Sequence, residues 1–367
     1  MKGPIFLAGI CERCGKTLLR KILNIHSEVR LAPAETKFMS QMWSRRILAG
    51  HLRDSNLPKG VESYLNNSVL KIDKRKELLE NLKSGNMKTQ EADVELLLDT
   101  QLSDIKNIFS KTTKTYGDLH RSILQSFVRS NKSNYGGEKD PTANPFIISL
   151  IDNFPQSKIV NLVRDGRGII TSMISTKSRL NILEMSNRVK YSYSLARKYE
   201  KKNISSNYYQ MFFEKMIRDP KTELTNLCNF IGISFEDEML HPSLYIPNSD
   251  GRKLKQGFDK TMINIWKKKL TLEQILVIEY ILKENLTYYG YKVIIEEPEK
   301  YIPILDKIYI NLYILVNTIE IRLLQISNYF GLGNLLSKPF TIIRKYFKQN
   351  PNQFVGSKIF KRMVSSV

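Results

Sequence analysis

One stretch near the start, "PIFLAGICERCGKTLLRKILNIH" (4–26), constrains the fold more than any other. Its first part is an apolar run ending in glycine, the pattern of a short buried strand. Its last part places Leu18, Leu19, Ile22 and Leu23 at helical spacing. A strand that runs through a tight glycine-bearing loop into a helix is the unit of a parallel α/β sheet. Such units put the loop at the carboxyl ends of the strands, where ligands bind. A helix N-terminus there offers unpaired backbone N–H groups and partial positive charge, which suits an anion. Arg13 adds a fork of donors, Lys16 a point charge and Thr17 a hydroxyl. The spacing is not that of a Walker nucleotide loop. That loop has four residues before Gly-Lys-Ser/Thr, whereas five separate Gly9 from Gly15-Lys16-Thr17 here. A Walker enzyme also needs a strand-end carboxylate for magnesium. "IVNLVRD" ends in Asp165, but Arg164 precedes it, an awkward setting for a metal ligand.

The same alternation continues downstream. "KIVNLV" (158–163) reads as a second buried strand, "RGIITSMIS" as a helix and "YYQMFFE" (208–214) as a third strand. "DPKTELTNLCNFIGI" (219–233) reads as a helix ending near Gly232. Residues 40 to about 135 read as mostly helical and polar. From Glu296 the pattern changes. "IYINLYILVNTIEIRLLQI" is strongly apolar but broken by Asn311, Asn317, Glu320 and Arg322, which makes it a poor membrane span. Residues 301–367 carry nine Lys/Arg and two acids. Two readings stay open for this segment. It is a helical appendage packed on the core or a second copy, or it lies on an anionic membrane surface.

Composition excludes little but points in one direction. With 42% hydrophobic and 25% charged residues a core can form, so disorder is not expected. Lys and Arg number 57 against 36 Asp and Glu, a net charge of +21. That surplus points to an anionic partner, or reflects the lysine-rich bias visible in the many Asn, Ile and Lys residues. Cys11 and Cys14 form a C-x-x-C pair, and Cys228 is alone. No second pair or H-x₃₋₅-H follows, so zinc is not expected, and the pair is read as loop packing ahead of redox chemistry. The initial apolar run is too short for a signal peptide, and the expected location is the cytoplasm, with membrane-peripheral contact through the last segment.

Three motifs then carry a resemblance. "ERCGKTLLRKILNIHSEVR" resembles the 5′-phosphosulfate loop of sulfotransferases that use 3′-phosphoadenosine 5′-phosphosulfate (PAPS). That loop is usually Pro-Arg-Ser-Gly-Thr-Thr-Leu, with a later His-Pro step. Arg13, Gly15, Thr17, Leu18 and His26 match, while Glu12, Cys14, Lys16 and Ser27 depart. "FPQSKIVNLVRDGRGIITSMIS" resembles the family's 3′-phosphate segment, with Arg164 and Ser172 eight residues apart. "GEKDPTANPFIISLIDNFP" is similar to the Lys-Asp-Pro segment of protein-tyrosine sulfotransferases, which also share the "VRDGR" and "SMIS" tokens. Their Glu-Thr step is matched by Glu35 and Thr36 in "LAPAETKFM", with one residue inserted. The chain departs at Leu31 and Gly137, near where two paired cysteines would fall, and at Phe213, where a tyrosine often touches the nucleotide. Residues 41–134 are longer than the resemblance leads one to expect.

The resemblance implies an α/β sulfotransferase fold, a P-loop-like parallel sheet flanked by helices. It implies a domain over 1–295 with a helical insertion at about 41–134, followed by a basic, apolar helical extension at 296–367. It implies sulfuryl transfer from PAPS, without a metal, to an acceptor hydroxyl on peptide tyrosine, a glycan or a lipid-linked glycan. Arg13, Cys14, Gly15, Lys16 and Thr17 would meet the 5′-phosphosulfate, and Arg164 and Ser172 the 3′-phosphate. Phe213 would stand by the nucleotide, and Arg252 and Lys253, with Lys255, would close over it from "SDGRKLKQ". Glu35, Lys139 and Arg13 would be the catalytic groups. The expected partners are an acidic peptide or glycan acceptor and a second copy of the chain, with no nucleic acid. Two other classes stay open at this point. A P-loop kinase or NTPase would bind Mg²⁺-ATP, and a binding protein for nucleic acid or membrane would rest on charge alone.

Overall fold

Ile5–Gly9 form strand β1, buried along its whole length, in a computed structural model of the chain. The structure describes residues 1–32, 38, 107, 116–130, 133–140, 143–176, 178, 180–202, 204–242, 258–329, 337–339 and 341–343. These fold as two compact units. The first comprises Met1–Gly9, Gly15–Val163 and Lys202–Asp259, and the second Ile10–Cys14, Arg164–Lys201 and Lys260–Val367.

The first unit is built on the expected parallel sheet. Besides β1 it contains β2 (Val29–Leu31), β3 (Tyr135–Lys139), β4 (Lys158–Val163) and β5 (Tyr208–Phe212). The order is β2-β3-β1-β4-β5, and every pair is parallel. Ile5 stands opposite Gly137 on one side and Lys158 on the other, which fixes the register of the three central strands. Apolar runs such as "IFLAG" and "KIVNLV" are what such a buried sheet demands. β3 is the exception. Its sequence is YGGEK, and a Cβ on Gly137 would fall 1.8 Å from the Ile5 carbonyl oxygen. A Cβ on Gly136 would meet Val128 at 2.4 Å. Backbone approaches closely there, so small residues replace the usual β-branched ones.

Helix α1 (Lys16–Leu23) follows β1 and carries Arg20 and Lys21 in its last turn, complementing the helix dipole. α2 (Tyr116–Ser130) packs on β3, and α3 is Ile147–Asn153. In the second unit α4 is Gly166–Ser175, and α5 (Ile182–Glu200) opens with a capping box between Asn181 and Glu184. Back in the first unit, α6 (Phe213–Arg218) leads to α7 (Pro220–Ile231). α7 starts with Asp219 accepting from the Thr222 N–H and a proline in its first turn, and ends on left-handed Gly232 (φ 88°). The cap, proline and glycine are the start and stop signals legible in "DPKTELTNLCNFIGI". His26 is buried between α1 and the turn after α7. Its Nε2 lies 2.7 Å from the Ser234 carbonyl, and its Nδ1 accepts from the Glu28 N–H at 3.0 Å, so the ring is the neutral Nε2–H tautomer.

The second unit is helical. Besides α4 and α5 it holds α8 (Trp266–Lys269), α9 (Leu272–Tyr288), α10 (Pro298–Tyr301) and α11 (Ile304–Tyr329). α9 and α11 both pack on α5. At its centre the fully buried Arg167 clamps Asp165, with Nε at 3.0 Å from Oδ1 and Nη2 at 2.8 Å from Oδ2. Its Nη1 reaches Glu279 of α9 at 2.5 Å, and its guanidinium lies 3.9 Å from the Trp266 ring centre. Burial alone would lower the Arg167 pKa, but the hydrogen bonds and charges of Asp165 and Glu279 raise it above its ordinary value. Asp165 also caps α4 through the Arg167 N–H, and Glu279 accepts the N–H groups of Ile294 and Ile295. The "VRDGR" token therefore supplies a structural clamp as well as Arg164.

Candidate active site

The loop after β1 has an unusual backbone. Cys11 and Arg13 take positive φ (68° and 67°), and Gly15 follows at 108°, whereas Glu12 and Cys14 between them do not. A non-glycine residue in this region costs about 1–2 kcal/mol, and such strain concentrates at functional sites. Alternation of left- and right-handed residues is the backbone pattern of anion-binding nests. The Cys11 and Cys14 side chains are buried, and the Cys11 thiol donates to Glu12 at 3.1 Å.

Gly15 is the N-cap of α1, and its glycine is required twice. A Cβ would fall 2.6 Å and 2.9 Å from the Phe213 ring and 3.2 Å from Leu162, at a φ that strains any side chain. Phe213 is itself 4% exposed and lies beneath the glycine, a wedge under the start of α1. Gly15→Ala should lower unfolding stability by at least about 1–2 kcal/mol from backbone strain alone. Urea denaturation checks this, and an unchanged midpoint would contradict it. Lys16 opens α1 and is 4% exposed.

The first unit also brings Lys139 to the loop helix. Its Nζ donates to the Thr17 hydroxyl at 3.4 Å, joining the end of β3 to the first turn of α1. The residue before it, Glu138, is fully buried and lies 2.6 Å from His120 Nε2 on α2. His120 stacks on Phe38 at 4.5 Å and packs edge-on to Phe154. This buried pair holds the strand end that carries Lys139. Glu138 does not stand out in the sequence, because its histidine lies 18 residues away on another element.

The second unit gathers three of the expected phosphate ligands. Arg164 directly follows β4 in the chain and is 3% exposed. Its Nη1 donates to the Arg13 carbonyl at 2.9 Å and its Nη2 to the Met262 carbonyl at 3.2 Å. Tyr193 hydroxyl donates to the Arg164 carbonyl at 2.6 Å, holding the backbone at that point. Arg13 Nε donates to the Ser172 hydroxyl on α4 at 3.1 Å. Partial burial draws the Arg13 guanidinium below its ordinary value, opposed by the Glu12 carboxylate, and arginine stays charged throughout. Glu12 in turn pairs with Arg188 of α5 at 3.1 Å. Arg13 thus links Arg164 and Ser172, one through its backbone and one through its side chain. The sequence alone suggested that Arg164 and Ser172 converge. It did not suggest that the loop arginine joins them. Glu35, Arg252, Lys253 and Lys255 lie outside the described residues. Among the described residues no group of three His, Cys, Asp or Glu side chains is placed to hold a metal ion.

Residues 4–237 match the Sulfotransferase family. The chain is 25% identical over 265 residues to protein-tyrosine sulfotransferase 1 of Danio rerio, covering 69% of this chain and 60% of that protein. It is 26% identical over 242 residues to a putative protein-tyrosine sulfotransferase of Caenorhabditis briggsae, covering 65% of this chain and 68% of that one. The match therefore spans less than two thirds of the Danio relative. Among solved structures, the sulfotransferase domain of the Synechococcus PCC 7002 olefin synthase superposes with a TM-score of 0.48 at 20% identity, covering 80% of this chain and 97% of that domain. The sulfotransferase domain of the curacin biosynthetic pathway gives 0.49 at 17% identity, covering 80% and 99%.

Proposed function

The chain belongs to the sulfotransferase family, and from that premise we propose that it transfers the sulfuryl group of PAPS to an acceptor hydroxyl. The observation that carries this reading is the Arg13 linkage. A strained loop that opens a helix shares one arginine with Arg164 and Ser172, the pair read as 3′-phosphate ligands. Cations, a hydroxyl and a helix N-terminus suit a nucleotide with phosphate at both ends.

In this reading the loop amides and Arg13 hold the 5′-phosphate, and Arg164 and Ser172 select PAPS over ATP by its 3′-phosphate. Phe213, packed against Gly15, stands by the nucleotide. The acceptor oxygen attacks sulfur as the bond to the 5′-phosphate oxygen breaks, in line. Glu35 takes the acceptor proton. Lys139 and the loop amides stabilise the charge that develops on the departing phosphate oxygen. Arg252 and Lys253 close over the nucleotide. No step calls for a metal.

The acceptor is proposed as peptide tyrosine, after the relatives of that name, with an acidic peptide or glycan favoured by the +21 charge. A P-loop kinase reading draws on Gly15-Lys16-Thr17 at the start of α1. Calorimetry with 3′-phosphoadenosine 5′-phosphate (PAP) tests the 3′-phosphate assignment. Ser172→Ala and Arg164→Ala should each weaken PAP, the arginine by about 1.5–3 kcal/mol, the usual worth of a hydrogen bond to a charged group. An unchanged Kd in both variants would remove the assignment.

A further inference from the structure

We propose that the outward face of α11 docks on the surface of an anionic lipid bilayer. α11 is apolar on two sides. One side carries Tyr309, Ile310 and Tyr313, each at most 2% exposed, and the helix packs on α5. The other carries Ile304, Leu305, Ile308, Leu312 and Leu315, exposed by 67%, 59%, 49%, 44% and 53%. Their three- and four-residue spacing gathers them on one side of the helix. Single exposed apolar residues are ordinary, but a contiguous stripe marks a surface with a partner. Tyr301, 68% exposed and amphipathic, precedes the stripe by three residues in the chain. Ile342 and Ile343, 59% and 40% exposed, are two further exposed apolar residues of the same C-terminal stretch. Their segment is tied to α11 by the Thr341 hydroxyl, which donates to Glu320 at 2.7 Å.

Charge decides the kind of partner. Residues 301–367 hold nine Lys/Arg but two acids, Asp306 and Glu320. Asp306 is fully buried, and Glu320 is half-buried and receives the Thr341 hydroxyl. Arg322 and Lys338 are exposed. Among the described residues, then, the exposed charge of this segment is basic. A second copy would bring the basic residues of two such segments together, and the exposed acids just before them, Glu297 and Glu299, already pair with Lys300 and Lys283. An anionic bilayer supplies both an apolar layer for the stripe and counter-charge for its flanks. The helix lies along the interface and does not cross it. Asn311, Asn317 and Arg322 interrupt it, and no described helix is long and apolar enough to span a membrane.

The test is flotation of the full chain with phosphatidylcholine vesicles, with and without phosphatidylglycerol. The wild type should float with the anionic vesicles and stay behind with the neutral ones. Added salt should weaken binding. The triple variant Leu305→Glu, Ile308→Glu, Leu312→Glu should lose at least about tenfold in partitioning. It should keep the wild-type melting temperature, since all three positions are exposed. Wild-type flotation by the triple variant would overturn the proposal. So would a wild type that ignores anionic vesicles yet forms a dimer, in sedimentation, that the triple variant loses; a second copy would then be the occupant.

Discussion

Arg167→Ala is expected to lower the unfolding free energy by about 3–5 kcal/mol, the cost of removing one partner from a buried ion pair. The change strands two carboxylates at once. Asp165 loses a two-point clamp, and Glu279 loses the cation it meets at 2.5 Å. Both acids lie in the protein interior, at 5% and 0% exposure, where water cannot replace the guanidinium. The Trp266 ring also loses the cation stacked on it. Urea denaturation of the wild type and variant measures the difference. Arg167→Lys should recover part of the loss, because one ammonium meets one carboxylate but cannot span both. A loss under about 1 kcal/mol for Arg167→Ala would mean the clamp contributes little beyond its volume.

Lys139→Ala should reduce turnover about 10²–10³-fold, the usual loss on removing one group that stabilises charge developing in the transition state. PAP affinity should change far less, because the loop amides, Arg13, Arg164 and Ser172 remain. The readout is PAP released from PAPS in the presence of acceptor, beside a calorimetric Kd for PAP. Equal losses in binding and turnover would make Lys139 an ordinary nucleotide ligand. Unchanged turnover would remove it from the chemistry.

Much of the fold is legible in the chain because local pattern and tertiary role agree. β1, β4 and β5 are apolar runs, and α1, α4 and α7 begin or end on recognisable residues. The parallel sheet follows from their alternation. β3 is not legible, since YGGEK has neither β-branched residues nor alternation. Its glycines answer to the Ile5 carbonyl and to Val128, contacts that no local pattern encodes. β2, three residues long, carries too little pattern to stand out.

The site divides in the same way. Arg13, Gly15, Thr17, Arg164 and Ser172 stand out through the motifs that carry the family resemblance. The partners that place them do not. Glu279 lies 112 residues from Arg167, and His120 belongs to a helix whose sequence carries no sign of Glu138. Phe213, read by resemblance as a nucleotide contact, packs its ring under Gly15, a neighbour that no local pattern points to.

The most direct measurement of the central claim is a thermal shift of the intact chain with PAP alone, with ATP and Mg²⁺, and with buffer. Ligand that binds only the native state raises its stability. A clear upward shift with metal-free PAP, absent with Mg²⁺-ATP, is the predicted result. A shift with Mg²⁺-ATP and none with PAP would contradict the account and return the loop to the kinase reading.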